Sequence, residues 1–481
     1  MADEVQNDQA KGKGLLGRLG PGRPARSAED GENTYIELRQ DVHDRLVEEM
    51  AGRTNSQQAD LVRQRIQDLV NEAATRQNIV FSRTERQRVV EMVEHDVLGL
   101  GPLDELLEDP TVTDIMINSA KNVYVEQSGV IRKSGVKFDS NAQLLQIIDR
   151  IVARMGRRID ESSPMVDARL QDGSRVNIII PPLSLKGPTI TIRKFEKESL
   201  TVQDLVSNGT MTQAMMEYLE AAVNSRLNIA VSGGGGSGKT TTLNILSDFI
   251  PGDERIVTIE DAAELKLHKL HVVPLETRPA NVEGKGRVTM RDLVINSLRM
   301  RPDRIVIGEC RGPEALDMLQ AMNTGHDGSL TTIHANSAKE VIPRLETLVL
   351  MGGAELPSRA IREQIASAIN IIVHQTRLRD GTRKVVNISE LTGIDGDDVF
   401  VTPIFVYEQL GMDPDGNVVG FHSASGTMTM YMEHFSASAQ NITEDMFVPV
   451  QPSDELLARA GITRELYEAE RERELALLQG E

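Results

Sequence analysis

Tryptophan is absent from this chain, aromatic residues make up only 3% of it, and cysteine occurs once, at Cys310. The shortage of rings removes the stacking platforms on which single-stranded nucleic acid is held. A lone cysteine excludes an internal disulfide framework and a four-cysteine zinc site. No apolar run approaches the roughly 20 residues of a membrane-spanning helix. No apolar signal region follows the first methionine, so a cytoplasmic chain with no transmembrane segment of its own is expected. Excess positive charge is missing too. The 53 Lys and Arg stand against 72 Asp and Glu, a net charge of −19. That argues against a general nucleic-acid binder, which needs a cationic surface, although it leaves a local basic track open.

What is present is an ordinary globular composition, 40% hydrophobic over 481 residues, with room for roughly two to four domains. Residues 1–33 read as a disordered arm, rich in Gly and charge. Lys11, Lys13, Arg18, Arg23 and Arg26 make it mildly basic, which suits a solvated tail or a membrane or partner contact. Residues 34–108 read as an N-terminal helical bundle. Ile36, Leu38, Val42, Leu46 and Met50 recur at helical spacing, as do Leu61, Ile66, Leu69 and Val70, with Asn55-Ser56 and Ser82 as caps.

Residues 109–199 change period. Ile115-Met-Ile117, Val123-Tyr-Val125, Val176-Asn-Ile-Ile-Ile180 and Thr189-Ile-Thr-Ile192 read as strands around a helix at 141–155, a small α+β unit. A linker over 194–203 leads to residues 200–394, where apolar strands at 256–259, 305–307, 330–333 and 369–373 alternate with helices. That pattern predicts an α/β domain with a mainly parallel sheet covered on both faces. In residues 395–481, positions 399–422 read as a β-meander turning at Asp413-Pro-Asp-Gly416. Residues 427–432 alternate Thr or Tyr with Met and read as a strand, and 452–479 as a terminal acidic helix.

The most informative stretch is Gly233-Gly-Gly-Gly-Ser-Gly-Lys239-Thr240, which fits the phosphate-binding pattern G-x-x-x-x-G-K-[ST]. Glycines allow positive φ and let successive N–H groups surround an anion. Gly233, Gly234, Gly235, Gly236, Ser237 and Gly238 form the candidate cradle for ATP. Lys239 can put a cation on the β- and γ-phosphates, and Thr240 can offer its hydroxyl to Mg²⁺. Thr241 opens a helix whose positive end faces the phosphates. A Gly-Ser linker would share the composition but not the Lys-Thr pair in register between strand and helix.

Hydrolysis needs more than a cradle, and candidates follow at strand ends, where open α/β sheets place ligands. Arg304-Ile-Val-Ile-Gly-Glu309 ends in a carboxylate that can hold Mg²⁺ through water or be an ordinary strand-end acid. Ile256-Val-Thr-Ile-Glu-Asp261 with Glu264 beyond offers acids that can orient or deprotonate water, or simply populate a helix start. His334 can sense the γ-phosphate or bond a neighbouring acid. Arg175 and Arg193 lie on strands of the preceding unit, and Arg291, Arg299, Arg301, Arg304 and Arg311 crowd the Glu309 strand.

In this order the segments resemble the secretion-superfamily ATPases, which drive type II and type IV secretion, type IV pili and archaeal surface filaments. The matching pieces are the P-loop, Thr258-Ile-Glu-Asp261 with Glu264, Ile307-Gly-Glu309, and Gly325-His through Thr331-Thr-Ile-His334. Gly99-Leu-Gly-Pro102, Asp114-Ile-Met-Ile-Asn118, Val123-Tyr-Val-Glu126 and Arg299-Met-Arg-Pro-Asp303 further resemble the CpaF-type ATPase of tight-adherence pili, and the likeness spans residues 35–425. The resemblance implies a RecA-like P-loop ATPase domain, preceded by a small PAS-like α+β domain and the helical bundle. It implies a homohexamer on the cytoplasmic face of the membrane, working on inner-membrane pilus platform proteins. By the same resemblance Glu264 is the catalytic glutamate, Glu309 is linked to Mg²⁺, His334 belongs to a histidine box, and Arg175 and Arg193 close the cleft.

The chain departs from the pattern at Gly235, where relatives often carry Thr, and beyond about Ala424, where the ending differs from the family's. Three function classes stay in view: a motor ATPase for a pilus or a secretion machine, a nucleic-acid motor, and a nucleotide switch that does not hydrolyse. Charge and ring content weigh against the second. The strand-end acids weigh against the third, since binding alone needs only the cradle.

Overall fold

The computed structural model describes residues 42, 45, 59–77, 79, 81–97, 99–127, 129–153, 157–195, 200–280 and 284–479. The basic arm, most of the first helical pattern, the Asn55-Ser56 cap and the middle of the linker at 194–203 lie outside the described residues. Helical periodicity brings Ile66, Leu69, Val70 and Ala73 of the helix Ala59–Arg76 against Val89, Val90 and Val93 of the helix Arg83–Val97. Ser82 and Glu85 close the second helix with a reciprocal capping box, each backbone N–H donating to the other's side chain at 2.7 and 3.2 Å.

Alternation then replaces helical spacing, and six strands form an antiparallel sheet. They are β1 Val112–Ser119, β2 Asn122–Gln127, β3 Val130–Lys133, β4 Met165–Arg169, β5 Arg175–Ile179 and β6 Thr189–Arg193. Their order is β3-β2-β1-β6-β5-β4. One face, with Ile115, Ile117, Val123, Val176, Ile178, Ile190 and Ile192, packs on the amphipathic helix Asn141–Ala153. Because side chains alternate along a strand, the other face is polar. Across that face Arg169 opposes Arg175, Arg175 opposes Arg193, and Arg193 opposes Asp114.

The second sheet has nine strands: β7 Ile229–Gly233, β8 Ile256–Glu260, β9 Val272–Glu276, β10 Arg304–Cys310, β11 Leu330–Ile333, β12 Ile371–Arg377, β13 Arg383–Asp395, β14 Asp398–Met412 and β15 Val418–Ala424. Their order is β15-β14-β13-β12-β7-β11-β10-β8-β9. The six strands from β9 to β12 run parallel. The last three continue the sheet antiparallel. Every residue of β7 and β8 is buried, as parallel strands covered on both faces require. The helices Gln213–Asn224 and Lys239–Asp248 cover one face, and Met290–Ser297, Glu314–Asn323, Val341–Met351 and Ser358–Ala368 the other. Parallel direction gathers the C-terminal ends of β7, β8, β10 and β11 on one edge.

Two expectations need correction. Residues 427–432 form no strand; β15 ends at Ala424 and a helix begins at Met432. The fully buried Glu390 takes the hydrogen-bonding groups that a ladder would have used. It accepts from the hydroxyls of Tyr218 (2.6 Å) and Thr429 and from the Met430 N–H (3.0 Å). The single terminal helix is two, Asp454–Arg459 and Arg464–Gln479, separated at Gly461, which adopts φ 72°. Among the described residues no helix is long and apolar enough to cross a membrane.

Candidate functional site

β7 delivers the chain into a loop that glycine alone can follow. Gly233 has φ 154°, and a Cβ there would lie 2.1 Å from the Gln375 carbonyl oxygen. Gly238, at φ 99°, starts the helix Lys239–Asp248, and its Cβ would meet the Gln375 amide nitrogen at 2.8 Å. Gly234 and Gly235 face open space, so a side chain at position 235 would meet no obstacle. The unpaired N–H groups of the helix N-terminus and its dipole favour an anion in front of it.

Lys239 is 8% exposed. Its Nζ donates to the Gly234 carbonyl at 2.8 Å and lies 3.2 Å from His334 Nε2. The His334 Nδ1 in turn contacts Glu309 Oε1. Burial lowers the Lys239 pKa from the ordinary lysine value; Glu309 opposes the shift and Arg193 adds to it. Loop, lysine, histidine and carboxylate therefore form one connected chain from β7 across β11 to β10.

The acidic loop after β8 is gripped from two sides. From the nine-stranded sheet, Glu260 (4% exposed) accepts the backbone N–H of Glu264 at 2.8 Å and of Leu265 at 3.1 Å. Burial pushes the Glu260 carboxyl up to about 7, against those two amides, with the Glu264 charge adding to the rise. From the small sheet, Arg175 donates to the Ala262 carbonyl at 2.9 Å and pairs with Glu264 at 3.0 Å. Arg169 donates to the Ala263 carbonyl at 2.6 Å and to Glu276 at 2.9 Å.

A cleft of about 220 Å³ opens between the two sheets. Gly235, Gly236, Gly238, Lys239, Thr240, Thr241, Glu264, Glu309, His334, Arg175 and Arg193 all line it. Phe195 and Leu200 add apolar wall, with the Lys266 ammonium 4.2 Å over the Phe195 ring. This lining pairs a cationic, N–H-rich floor with two carboxylates, the donor set suited to a phosphate chain and a hard cation.

The family described as Type II/IV secretion system protein matches residues 96–427. The chain belongs to this type II/IV secretion family. The N-terminal domain of type II secretion system protein E matches residues 35–98. A Mycobacterium tuberculosis protein (strain CDC 1551 / Oshkosh) named for conjugal transfer is 36% identical over 311 residues, 63% of this chain and 88% of that one. The type IV secretion system protein VirB11 of Brucella suis biovar 1 (strain 1330) is 32% identical over 320 residues, 61% of this chain and 88% of its own. Among solved structures, 60% of this chain covers 95% of the VirB11 ATPase of the Brucella suis type IV secretion system, in complex with sulphate, at 30% identity and a TM-score of 0.34.

Within this family member three sequence-expected loop residues are not part of the cleft lining. Gly233 and Gly234 are outside the lining, and Ser237 is buried, its hydroxyl donating to the Gly234 carbonyl at 3.0 Å. Of the arginines crowding β10, Arg304 is structural. It is fully buried, with a two-pronged hold on Glu254 at 2.6 and 3.2 Å and a third bond to the Gly328 carbonyl. Arg291 and Arg311 pair with Asp317 and Asp261.

Sequence reasoning held Glu260 only as one of the acids ending the segment 256–261 and did not single out Arg169, Arg377 or Arg383. Arg383 donates to the Gly236 carbonyl at 2.9 Å, and Arg377 links the P-loop side to the Gly129 carbonyl at 2.7 Å and to Glu126. The signal for Glu260 was an acid ending an otherwise apolar strand. For Arg169 it was the cross-strand partnership with Arg175, which needs the register.

Proposed function

We propose that this chain is a motor ATPase that binds ATP in the cleft between its sheets and hydrolyses it to power a tight-adherence type IV pilus. The observation that carries the reading is the connected set Lys239, His334 and Glu309, facing Glu264, Arg175 and Arg193 across one cleft. Lys239 leaves the Gly234 carbonyl to hold the β- and γ-phosphates, and the helix N-terminus completes the cradle. Thr240 and Glu309 are the residues that would hold Mg²⁺, which when bound neutralises charge developing on the phosphates. Glu264 orients the attacking water and takes its proton. His334 keeps Glu309 and Lys239 in fixed relation. Arg193 and Arg175 supply cations from the small sheet, where two guanidinium groups directly opposite each other repel unless an anion lies between them.

In this reading the working form is a homohexameric ring, cytoplasmic and peripheral to the inner face of the membrane, engaging the pilus platform. Cyclic closure lets one chain type hold several nucleotide states at once. A type II or type IV protein secretion ATPase is the second reading, favoured by relatives named for conjugal transfer and VirB11. A nucleic-acid motor is disfavoured by the charge of −19.

The test is ATP turnover measured across a size separation of the purified protein. Parental activity should travel with a six-copy species. Glu264→Gln should bind ATP but lose about 10²- to 10⁴-fold in rate, and Lys239→Ala should lose binding itself. Parental turnover in Glu264→Gln, or activity confined to monomer, overturns the reading.

A further inference from the structure

The polar face of the small sheet carries three arginines in one cross-strand row, Arg169, Arg175 and Arg193. Like charges directly opposite one another are unfavourable, so such a row demands anionic or carbonyl partners. Arg175 and Arg193 line the cleft, but Arg169 does not. Its guanidinium is spent on two backbone carbonyls and one carboxylate instead. Nε donates to the Gly173 carbonyl at 3.1 Å, Nη2 to the Ala263 carbonyl at 2.6 Å and Nη1 to Glu276 at 2.9 Å. Gly173 belongs to the turn between β4 and β5; Ala263 belongs to the loop that presents Glu264. Glu276 closes β9, whose register sets it opposite Glu260, and its carboxylate also accepts the Ala263 N–H at 3.3 Å.

We propose that Arg169 is a positioning residue for hydrolysis: it locks the peptide at Ala263 to the small sheet and so fixes where Glu264 points. This rests on the reading of Glu264 as the residue that orients water. Arginine suits the task because its planar fork serves three acceptors at fixed angles, which a lysine ammonium on a flexible stem does not. Glu260 holds the N–H side of the same loop from below, so the loop is set only when both sheets grip it. The small sheet therefore arms the acid as well as contributing cations to the cleft. A misplacement of about 1 Å in a reacting group costs up to 10²-fold.

The experiment is a double-mutant cycle on the full chain, with turnover and binding of a fluorescent ATP analogue both measured. Arg169→Ala should leave analogue affinity within about twofold and lower kcat about 10- to 100-fold. Arg169→Lys should recover only part of kcat. In a Glu264→Gln background, Arg169→Ala should cause no further loss, because the group it positions is already gone. Should Arg169→Ala fail to fold, Glu276→Ala removes the acceptor shared by Arg169 Nη1 and the Ala263 N–H and should again lower kcat without changing affinity. Parental kcat in Arg169→Ala while Glu264→Gln is inactive overturns the positioning role alone, as does a loss that multiplies with that of Glu264→Gln. Parental turnover in Glu264→Gln removes the functional reading beneath it.

Discussion

At Glu260 a carboxyl group is buried beneath the loop it supports, and its protonation is tied to folding. Its pKa is pushed from 4.5 to about 7 by burial. Between those values the folded chain keeps a proton that the unfolded chain has released. The contribution of this one group to stability is therefore fully present below about pH 4.5, is lost as pH rises to about 7, and is level above, a loss on the order of 3 kcal/mol. Glu260→Gln removes that proton uptake. The Tm advantage of nucleotide-free parent over variant should shrink or reverse from pH 5 to pH 8. An equal difference at both pH values would mean that Glu260 is already ionised at pH 5. The glycines of the P-loop were legible because the demand for positive φ is local, as at Gly236 and Gly238. Glu260 was not, because its burial depends on Gly308, where a Cβ would strike the Glu260 side chain at 2.8 Å. No single-sequence pattern encodes that contact between neighbouring strands.

Among the elements, the parallel strands announced themselves as short apolar runs, and β7, β8, β10 and β11 lie on the segments where those runs fall. Residues 427–432 misled because alternation reports which side chains face inward, not whether the backbone is extended and paired. Thr429 and Tyr431 do point inward, to Glu390 and Asn370, while Met428 and Met430 are 44% and 55% exposed. The partner of this segment is one buried carboxylate instead of a strand, and this requires the fold to be known. Glu390→Ala would leave the hydroxyls of Tyr218 and Thr429 and the Met430 N–H without their acceptor, at about 1–3 kcal/mol for each unsatisfied group. The segment from Ala424 to the helix Met432–Ala437 should then open locally. Limited proteolysis should cut there at least about tenfold faster than in the parent, before global unfolding. Unchanged cleavage would show that the helix, through the His434 bond to the Ser225 carbonyl at 2.7 Å, anchors the segment alone.

For the whole molecule, the two sheets already touch on both flanks of the cleft. Arg169 and Arg175 hold the acidic loop on one side, and Arg377 holds Gly129 and Glu126 on the other. Arg193 lies between these flanks and, among the described residues, its guanidinium makes no hydrogen bond. Its charge is felt by Asp114, whose carboxyl is raised by burial and drawn back by Arg193, and by Lys239. A guanidinium left without a hydrogen-bonding partner, in a cleft whose cations outnumber its two carboxylates, is set to gain most from phosphate oxygens, which its fork can hold two at a time. Nucleotide should therefore draw the small sheet toward the P-loop through Arg193, and loss of the γ-phosphate should release it. A fluorescence distance between a label on the exposed end of β3 and one on the helix Ser358–Ala368 reads this motion. It should shorten with a non-hydrolysable ATP analogue in the parent and stay unchanged in Arg193→Ala, although the variant keeps the flanking contacts of Arg175 and Arg377. Equal shortening in both proteins would assign closure to contacts other than Arg193, the two flanks and the Lys266–Phe195 contact among them.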